Sequence, residues 1–480
     1  MAPPTAPPAG ALPTSLVCAG CGHRPAADDA LRLGCPAARE GDDVDHVLRR
    51  ELDPARLAFP EDDDPNPFVR YRTLLHGYHA ALARGWTDEG VVSLVRRLDD
   101  EVAAIDGHGF RITPLLAGSR LDAALGFRSG GGVLVKDETG NVSGSHKARH
   151  LFGTLLELEL AAVPRQTELA IASCGNAALA AAVVASAAGR PLRVFVPADA
   201  DPVVLARLDE LGARVEVCER PAGVSGDPTV GRLREALAAG ALPFTCQGSL
   251  NGLAIEGGET LGWELADQVR TSGRDVDRIV IQVGGGVLAS SVAQALAEIH
   301  ALGALSALPR LDTVQTRGAF PLLRAHRRVA AHLVARLGLP DDAPGTLRTA
   351  MASPQAREEL GWIARHRSRF MWPWETEPRS VAGGIIDDET YDWLAVVTAM
   401  LETGGEPIVV DEETLVAANA LGVDATGIDV DATGSAGLAG LVALAGQGAI
   451  GPRETVAVLF TGIRRRPAAA GPHPSTTATE

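Results

Sequence analysis

One lysine follows a run of small and hydroxyl-bearing residues, in a pattern typical of a binding loop. The sequence GNVSGSHKARH follows the β-branched run VLVKD and precedes the apolar stretch LFGTLLELEL. Gly140, Gly144 and Ser145 favour a tight turn, so Lys147 falls in the first turn of a predicted helix. A lysine in an apolar site has a lowered pKa, and its amine becomes a usable nucleophile. Such an amine can form a Schiff base with an aldehyde cofactor. The alternative is an exposed lysine beside Arg149 that points to water.

A second junction between strand and helix carries the sequence IASCGNAALAAA. It places Ser173, Gly175 and Asn176 where the strand meets the helix. Free backbone amides at a helix start can hold an anion such as a carboxylate. The side chain of Asn176 can donate to a phenolate oxygen or to a carboxylate. An ordinary helix N-cap explains the same residues equally well.

A third junction, IVIQVGGGVLASSV, contains three consecutive glycines. Gly284, Gly285 and Gly286 let backbone amides converge on a phosphate, and the dipole of the following helix favours its negative charge. With Ala289, these residues also fit the dinucleotide fingerprint GxGxxA. That fingerprint requires an acidic residue after the next strand, whereas Asp312 precedes the strand DTVQT. The sequence therefore favours a phosphate site over a nicotinamide site.

Short β-branched runs alternate with Ala- and Leu-rich helical stretches over most of the chain. This alternation, with strands apolar on both faces, predicts an α/β fold of parallel sheets covered by helices. Ligands of such sheets bind at the carboxyl ends of strands, where all three junctions fall. The predicted strands are ELAIAS (168–173), LRVFVP (192–197), RVEVC (214–218), RIVIQV (278–283), DTVQT (312–316) and ETVAVLFTG (454–462).

The composition of the 480-residue chain is that of a globular protein, with 46% hydrophobic and 22% charged residues. The formal net charge of −16 argues against nucleic acid or an anionic membrane as the main partner. We find no membrane span and no secretory signal. Six cysteines without such a signal indicate a reduced, cytoplasmic setting. We expect disordered ends at residues 1–15 and 467–480, and a separate cysteine-bearing segment at 16–50.

The three junctions, in this order, resemble the lysine, asparagine and glycine loops of fold-type II pyridoxal-phosphate enzymes. This family includes threonine synthase, threonine dehydratase, diaminopropionate ammonia-lyase and the tryptophan synthase β chain. The resemblance extends from about residue 66 to residue 462. It implies a tryptophan synthase β-like fold with two parallel-sheet domains, pyridoxal 5′-phosphate as cofactor, and a homodimer. It further implies a large cofactor domain at 51–155 and 250–466 and a small domain at 156–249.

The resemblance also implies roles for individual residues. Lys147 would form the Schiff base and move the Cα proton of the substrate. Asn176 would bind the ring hydroxyl of the cofactor, and Thr461, in LFTG after the last strand, would face the pyridine nitrogen. Ser145 would line the leaving-group side and take part in catalysis. The implied phosphate cradle comprises Gly284, Gly285, Gly286, Val287 and Leu288. The implied site for the substrate carboxylate comprises Ser173, Gly175 and Asn176.

The cysteine-bearing segment resembles the zinc ribbon that precedes some threonine synthases. It contains CAGC (18–21) and GCP (34–36), but Ala38 stands where CxxC…CxxC would have its fourth cysteine. His46 or His23 could supply the fourth ligand. Alternatively, the segment binds nothing and is purely structural. The candidate metal ligands are Cys18, Cys21, Cys35 and His46.

Different stretches resemble different members of the family. RSVAGGIIDD and TGGEPIVV resemble ammonia-lyases and dehydratases, whereas NPFVRYRTLL resembles the entry segment of threonine synthase. Threonine synthases usually carry aspartate in SFKDRG, where this chain has Ala148 in SHKARH. We therefore expect a lyase that eliminates a substituent from a hydroxy- or otherwise β/γ-substituted L-amino acid. Threonine synthase or another replacement enzyme is one alternative. A catalytically inactive ligand-binding or scaffold homologue is another.

Overall fold

The structure, a computed structural model, describes residues 12–26, 31, 33–219, 227–340 and 345–466. Most of the start and the whole of the tail that we expected to be disordered lie outside these residues. The first strand begins at Thr14, two residues before the boundary predicted at residue 16. The strand begins earlier than predicted because Thr14 and Ser15 pair with residues at the end of the second strand.

The chain alternates strands and helices through most of its length. The strands are β1 (Thr14–Cys18), β2 (Leu48–Leu52), β3 (Leu115–Ala117), β4 (Gly132–Asp137), β5 (Leu169–Ala172), β6 (Leu192–Pro197), β7 (Arg214–Cys218), β8 (Leu242–Pro243), β9 (Arg278–Gln282), β10 (Arg310–Thr316), β11 (Pro407–Val410) and β12 (Thr455–Phe460). The helices are α1 (Pro67–Arg70), α2 (His76–Ala83), α3 (Asp88–Asp106), α4 (Ser119–Leu125), α5 (Lys147–Leu160), α6 (Asn176–Ala187), α7 (Pro202–Glu210), α8 (Pro228–Ala238), α9 (Leu253–Ser272), α10 (Val287–Ala301), α11 (Pro321–Leu337), α12 (Thr346–Ala350), α13 (Pro354–Ala364), α14 (Trp393–Thr403), α15 (Glu412–Thr426) and α16 (Ala436–Gly446). In the part of the chain described here, no helix is long and apolar enough to cross a membrane.

Two largely parallel sheets form the body of the protein. The six-stranded sheet has the order β11-β10-β9-β12-β4-β3 and is parallel except for the edge strand β3. The four-stranded sheet, β7-β6-β5-β8, is parallel throughout. Strands β1 and β2 form a separate antiparallel hairpin. The prediction of an α/β fold with parallel sheets is thereby confirmed, with β3 as the antiparallel exception.

Three adjacent strands of the six-stranded sheet determine where a ligand can bind. Strand β12 lies between β9 and β4 and is parallel to both. All residues of β9 and β12 are buried, since helices cover both faces of the sheet. The carboxyl ends of β4, β9 and β12 therefore meet at one edge, and the segments that follow them lie together there.

A buried network of charges fixes helix α5 to the sheet. Arg149 donates to both carboxylate oxygens of Glu138, at 2.8 and 2.9 Å, and to Glu264 Oε1 at 2.7 Å. Lys136, on β4, donates to Glu264 Oε2 at 2.7 Å. All four side chains are fully buried, where an unpaired charge would be very costly. Arg149 is thus not exposed. Its burial argues against the alternative interpretation, in which an exposed Lys147 beside Arg149 points to water. The pairing of Arg149 fixes the first turn of α5 and with it Lys147.

The N-terminal hairpin is joined to the body by a second buried network. Arg50, on β2, forms ion pairs with Glu256, Glu259 and Glu298, and its guanidinium lies 5.2 Å from the ring of Trp263. One arginine among three glutamates leaves an excess of acid, and burial raises the pKa of all three carboxyl groups. The hairpin is therefore an integral part of the fold.

Candidate active site at the carboxyl ends of β4, β9 and β12

Lys147 is the first residue of α5, as the sequence predicts, and its side chain is half-buried. Among the described residues, its Nζ has no hydrogen-bond or ion-pair partner. Lysine and arginine together number 44 in the sequence, yet Lys136 and Lys147 are its only lysines. Lys136 is fully buried in an ion pair, and a guanidinium keeps its proton in proteins. Lys147 is therefore the one side-chain amine in the chain that is placed to react.

Charged and polar groups around Lys147 respond to its positive charge. Burial raises the pKa of Asp387 to about 6 and that of Asp392 to about 8, and the Lys147 cation opposes both shifts. Burial lowers the pKa of His150 to about 3, and Lys147 adds to that shift. Burial raises the pKa of the Cys246 thiol to about 11, and the Lys147 cation opposes this shift as well. The lysine thus lies among two acids, a neutral imidazole and a neutral thiol.

The glycine loop connects β9 to α10 and packs tightly against segment 385–392. A Cβ on Gly285 or Gly286 would come within 2.9 Å of Tyr391 or Thr390, and one on Gly284 would clash with the Asp387 carboxylate. Only glycine fits at these positions. The packing of this loop against segment 385–392 is enough to require the three glycines.

The first turn of α10 is open to an anion. Gly286, the N-cap residue of this helix, adopts a left-handed conformation with φ 99°. In the part of the chain that the structure describes, no side chain caps the N–H groups at the start of this 15-residue helix. Together with the helix dipole, they can hold a phosphate group. Val287 and Leu288, which we predicted to contribute amides, are the first two residues of the helix.

The asparagine loop connects β5 to α6, and no side chain of the described residues caps the N-terminus of this helix. Ser173 Oγ accepts a hydrogen bond from the Gly175 N–H at 3.4 Å. Asn176 Oδ1 accepts one from Arg465 at 2.9 Å. A Cβ on Gly462 would lie 2.6 Å from Asn176 Nδ2. Arg465 was missed in the sequence, because an arginine after the last strand belongs to no recognisable motif.

The end of β12 links the lysine loop to the strand before the glycine loop. Thr461 Oγ1 accepts a hydrogen bond from Gln282 Nε2 at 2.6 Å, and the Thr461 carbonyl accepts one from the His146 N–H at 3.2 Å. Ser145 forms a backbone bridge with Gly462. Its Oγ is fully buried and has no hydrogen-bond partner among the described residues. Gln282 was also missed, although a polar residue that ends an apolar strand is a signal that could have identified it.

The cysteine-bearing segment forms a second candidate site. The cluster consists of Cys18, Cys21, Cys35 and His46, and their potential ligand atoms all lie within 4.8 Å of one another. Cys18 Sγ is 3.4 Å from His46 Nδ1. His46 Nε2 lies 3.0 Å from an Asp42 carboxylate oxygen, which orients the ring as carboxylates do for metal-binding histidines. The group contains His46 and not His23.

Comparison with known proteins identifies the family. Residues 108–462 match the family described as pyridoxal-phosphate dependent enzyme. The chain belongs to this family. Threonine synthase of Methanosarcina acetivorans is 27% identical over 373 residues, which cover 73% of this chain and 74% of that protein. Cysteate synthase of Methanoregula boonei is 28% identical over 334 residues, covering 67% and 68%. Diaminopropionate ammonia lyase from Escherichia coli, a solved structure, shares the fold, with a TM-score of 0.53, 17% identity and coverage of 78% and 88%.

The residues of this member of the pyridoxal-phosphate family fit both the aldehyde and the phosphate of the cofactor. An aldehyde requires a free amine, and Lys147 Nζ has no partner among the described residues. A phosphate requires converging backbone amides, and the first turn of α10 is not capped by any side chain that the structure describes. Both features follow strands of one sheet, since only β12 lies between β4 and β9.

Proposed function

We propose that this protein is a pyridoxal-phosphate dependent lyase that eliminates a substituent from a hydroxy- or otherwise β/γ-substituted L-amino acid. When bound, the cofactor supplies an electron sink that acidifies the Cα proton of the substrate. The observation that carries the proposal is the amine of Lys147, which has no partner in the described part of the chain and which the buried Arg149 network fixes at the sheet edge.

The residues of the chain would divide the work as follows. Lys147 binds the cofactor aldehyde and then moves the Cα proton. Thr461 faces the pyridine nitrogen, and Asn176 faces the ring hydroxyl. Ser145, whose buried hydroxyl has no hydrogen-bond partner within the described ranges, lies on the leaving-group side. The proposed phosphate ligands are the amides of Gly284, Gly285, Gly286, Val287 and Leu288. The proposed ligands of the substrate carboxylate are Ser173, Gly175 and Asn176.

Threonine synthase is the second candidate function, and the extent of the sequence match favours it. The relatives named threonine synthase align with 73% of this chain. Elimination and replacement would use the same lysine and the same phosphate cradle, and they differ in the fate of the substituted carbon. The preference for elimination rests on the segments that resemble ammonia-lyases and dehydratases.

The two functions are separated by the products that the holoenzyme releases. We would incubate it with L-serine, L-threonine, L-2,3-diaminopropionate and O-phosphohomoserine, and measure keto acid and ammonia. We expect both products from at least one of the first three substrates. Release of threonine from O-phosphohomoserine, with no keto acid from the others, would contradict the lyase and favour threonine synthase. A protein that binds no cofactor would favour the scaffold alternative.

We also propose that the cysteine cluster holds a structural zinc ion. Three sulfurs and one imidazole form a complete tetrahedral set for zinc. We expect purified protein to contain about one zinc per chain by elemental analysis. Cys35→Ser or His46→Ala should lose the metal and lower the melting temperature. Cys174→Ser, at an exposed cysteine outside the cluster, is the matched control and should keep it. Metal-free wild-type protein, or a Cys35→Ser variant that retains zinc, would refute the proposal.

The assembly and its organisation are also proposed from the family. We propose that 51–155 and 250–466 form the cofactor domain and that 156–249 form the small domain. We further propose a cytoplasmic homodimer that binds a small amino acid and neither nucleic acid nor membrane. Light scattering on the purified holoenzyme would measure the oligomeric state.

A further inference from the structure

Arg465 joins the lysine loop to the asparagine loop. It follows the last strand, β12, and its side chain is half-buried. Its Nη2 donates to the Ser143 carbonyl at 2.7 Å and to Asn176 Oδ1 at 2.9 Å. Its Nε donates to the same Oδ1 at 3.3 Å. One guanidinium therefore contacts two of the loops that we propose to meet the cofactor.

A strained turn of the lysine loop holds Arg465 in place. Ser143 has φ 57° and ψ 19°, in the left-handed region that serine rarely adopts. Such a conformation persists only where the surrounding contacts hold it. The Asp106 carboxylate accepts from the Ser143 N–H at 2.7 Å, and Arg465 donates to the Ser143 carbonyl. The guanidinium is thus fixed to the turn that leads into Lys147.

The chemistry of its neighbours determines which way the Asn176 amide faces. A guanidinium donates and never accepts, so the amide atom beside Arg465 must be the oxygen. A Cβ on Gly462 would be 2.6 Å from Asn176 Nδ2 and 3.2 Å from Asp431 Oδ2, so both atoms lie against Gly462. A carboxylate accepts, so the amide atom on this side must be the nitrogen. The two charged residues favour the same orientation of the amide.

Asp431 can act as the acceptor in this arrangement. Burial raises its pKa to about 6, and the Gly434 N–H, the Arg465 cation and the Asn176 amide each oppose that rise. The carboxyl group is therefore mostly ionised at neutral pH. An amide nitrogen carries two hydrogens, so one remains for the cofactor when Asp431 accepts from the other.

We infer that Arg465 is a positioning residue that turns the Asn176 amide so that Nδ2, and not Oδ1, is presented to the ring hydroxyl of the cofactor. This inference rests on the proposed role of Asn176 and names the residue that makes this role possible. An amide turned the other way would present its oxygen, which cannot donate to an ionised hydroxyl. Charge-assisted hydrogen bonds are stronger than neutral ones, so Arg465 selects between two orientations of similar shape.

Two forms of the cofactor test the inference. Pyridoxal 5′-phosphate carries the ring hydroxyl, and 3-deoxypyridoxal 5′-phosphate lacks it. The full-length protein would be stripped of its cofactor, and the dissociation constant of each compound would be measured by equilibrium dialysis. We expect the wild type to bind the hydroxyl form at least about tenfold more tightly. The ratio of the two constants is the measured quantity, because general damage to the fold would weaken the binding of both compounds alike.

Two variants of Arg465 separate orientation from charge. Arg465→Met removes every donor and should lower the ratio by about fivefold or more. Arg465→Gln keeps an N–H donor without the charge and should retain most of the ratio. Arg466→Met, at a 69% exposed arginine that pairs with Asp429, is the matched control and should behave like the wild type. The intrinsic difference between the two compounds is the same for every protein and cancels in this comparison.

The outcomes for the inference and for the proposed function are distinct. An Arg465→Met variant with the wild-type ratio would overturn the inference. An Arg465→Gln variant as impaired as Arg465→Met would also overturn it, since charge and not orientation would then be responsible. A wild type that binds both compounds equally would overturn the inference together with the proposed role of Asn176. The expected ratios without release of keto acid or ammonia would support the inference and contradict the lyase.

Discussion

Lys147→Arg should abolish covalent binding of the cofactor and lower kcat by at least about 10³-fold. The substitution keeps the positive charge that acts on Asp387 and Asp392. It removes the amine, because a guanidinium does not lose its proton in a protein. The fold should survive, since Lys147 is half-buried and its Nζ has no partner among the described residues. Turnover of the preferred amino acid and the visible absorption of the purified protein are the measurements.

Lys136→Arg is the matched control for this variant. It replaces the other lysine of the chain, which contacts Glu264 and takes no part in the proposed chemistry. We expect this control to keep the visible absorption of the bound cofactor and to turn over substrate, provided that circular dichroism shows a folded protein. If Lys136→Arg lost the visible absorption and Lys147→Arg kept it, Lys136 rather than Lys147 would be the lysine that binds the cofactor.

Arg149→Leu should destabilise the protein by about 3–5 kcal/mol, because it leaves Glu138 and part of Glu264 as uncompensated buried charges. The guanidinium makes 2.7–2.9 Å hydrogen bonds to both acids, and none of the three side chains is exposed. Chemical denaturation of the holoenzyme and of the variant gives the free energy of unfolding. Because Arg149 fixes the first turn of α5, weaker cofactor binding should accompany the loss.

Arg97→Leu is the comparison for Arg149→Leu. Arg97, whose side chain is 43% exposed on the surface of α3, pairs with Glu101 at 2.8 Å and more distantly with Glu159 at 3.8 Å. Exposed ion pairs contribute less than about 1 kcal/mol, so this variant should unfold almost like the wild type. Equal destabilisation by the two substitutions would show that burial of the Arg149 network has no special effect on stability.

The fold was predictable where the sequence repeats a strong local signal. Strands β5, β6, β7, β9, β10 and β12 lie within two residues of the predicted runs, because they are β-branched, apolar and followed by glycine or helical stretches. Strand β8 has two residues and β3 has three, too few for a periodic pattern. The four residues of β11 also passed unnoticed as a strand, although PIVV is β-branched. Neighbours in the sheet, rather than sequence, make these short segments strands.

Parts of the candidate site were predictable for a different reason. Lys147, Asn176 and the glycine loop stand at junctions of strand and helix, and such junctions are visible in a sequence. Arg465 and Asp392 reach the site from distant parts of the chain, and no local pattern marks them. Gln282, which ends the apolar strand β9, carried a local signal that was overlooked. The burial of Arg149 was likewise hidden, since its partner Glu264 is 115 residues away.

The attachment point of the cofactor tests the central claim most directly. The holoenzyme would be reduced with borohydride, which fixes a cofactor bound through an amine, and then digested and mapped by mass spectrometry. The chain offers Lys136, Lys147 and its N-terminal amine as possible points of attachment. We predict that the pyridoxyl group is found on the peptide that contains Lys147. A group on the Lys136 peptide or on the N-terminus, or no group at all, would contradict the account.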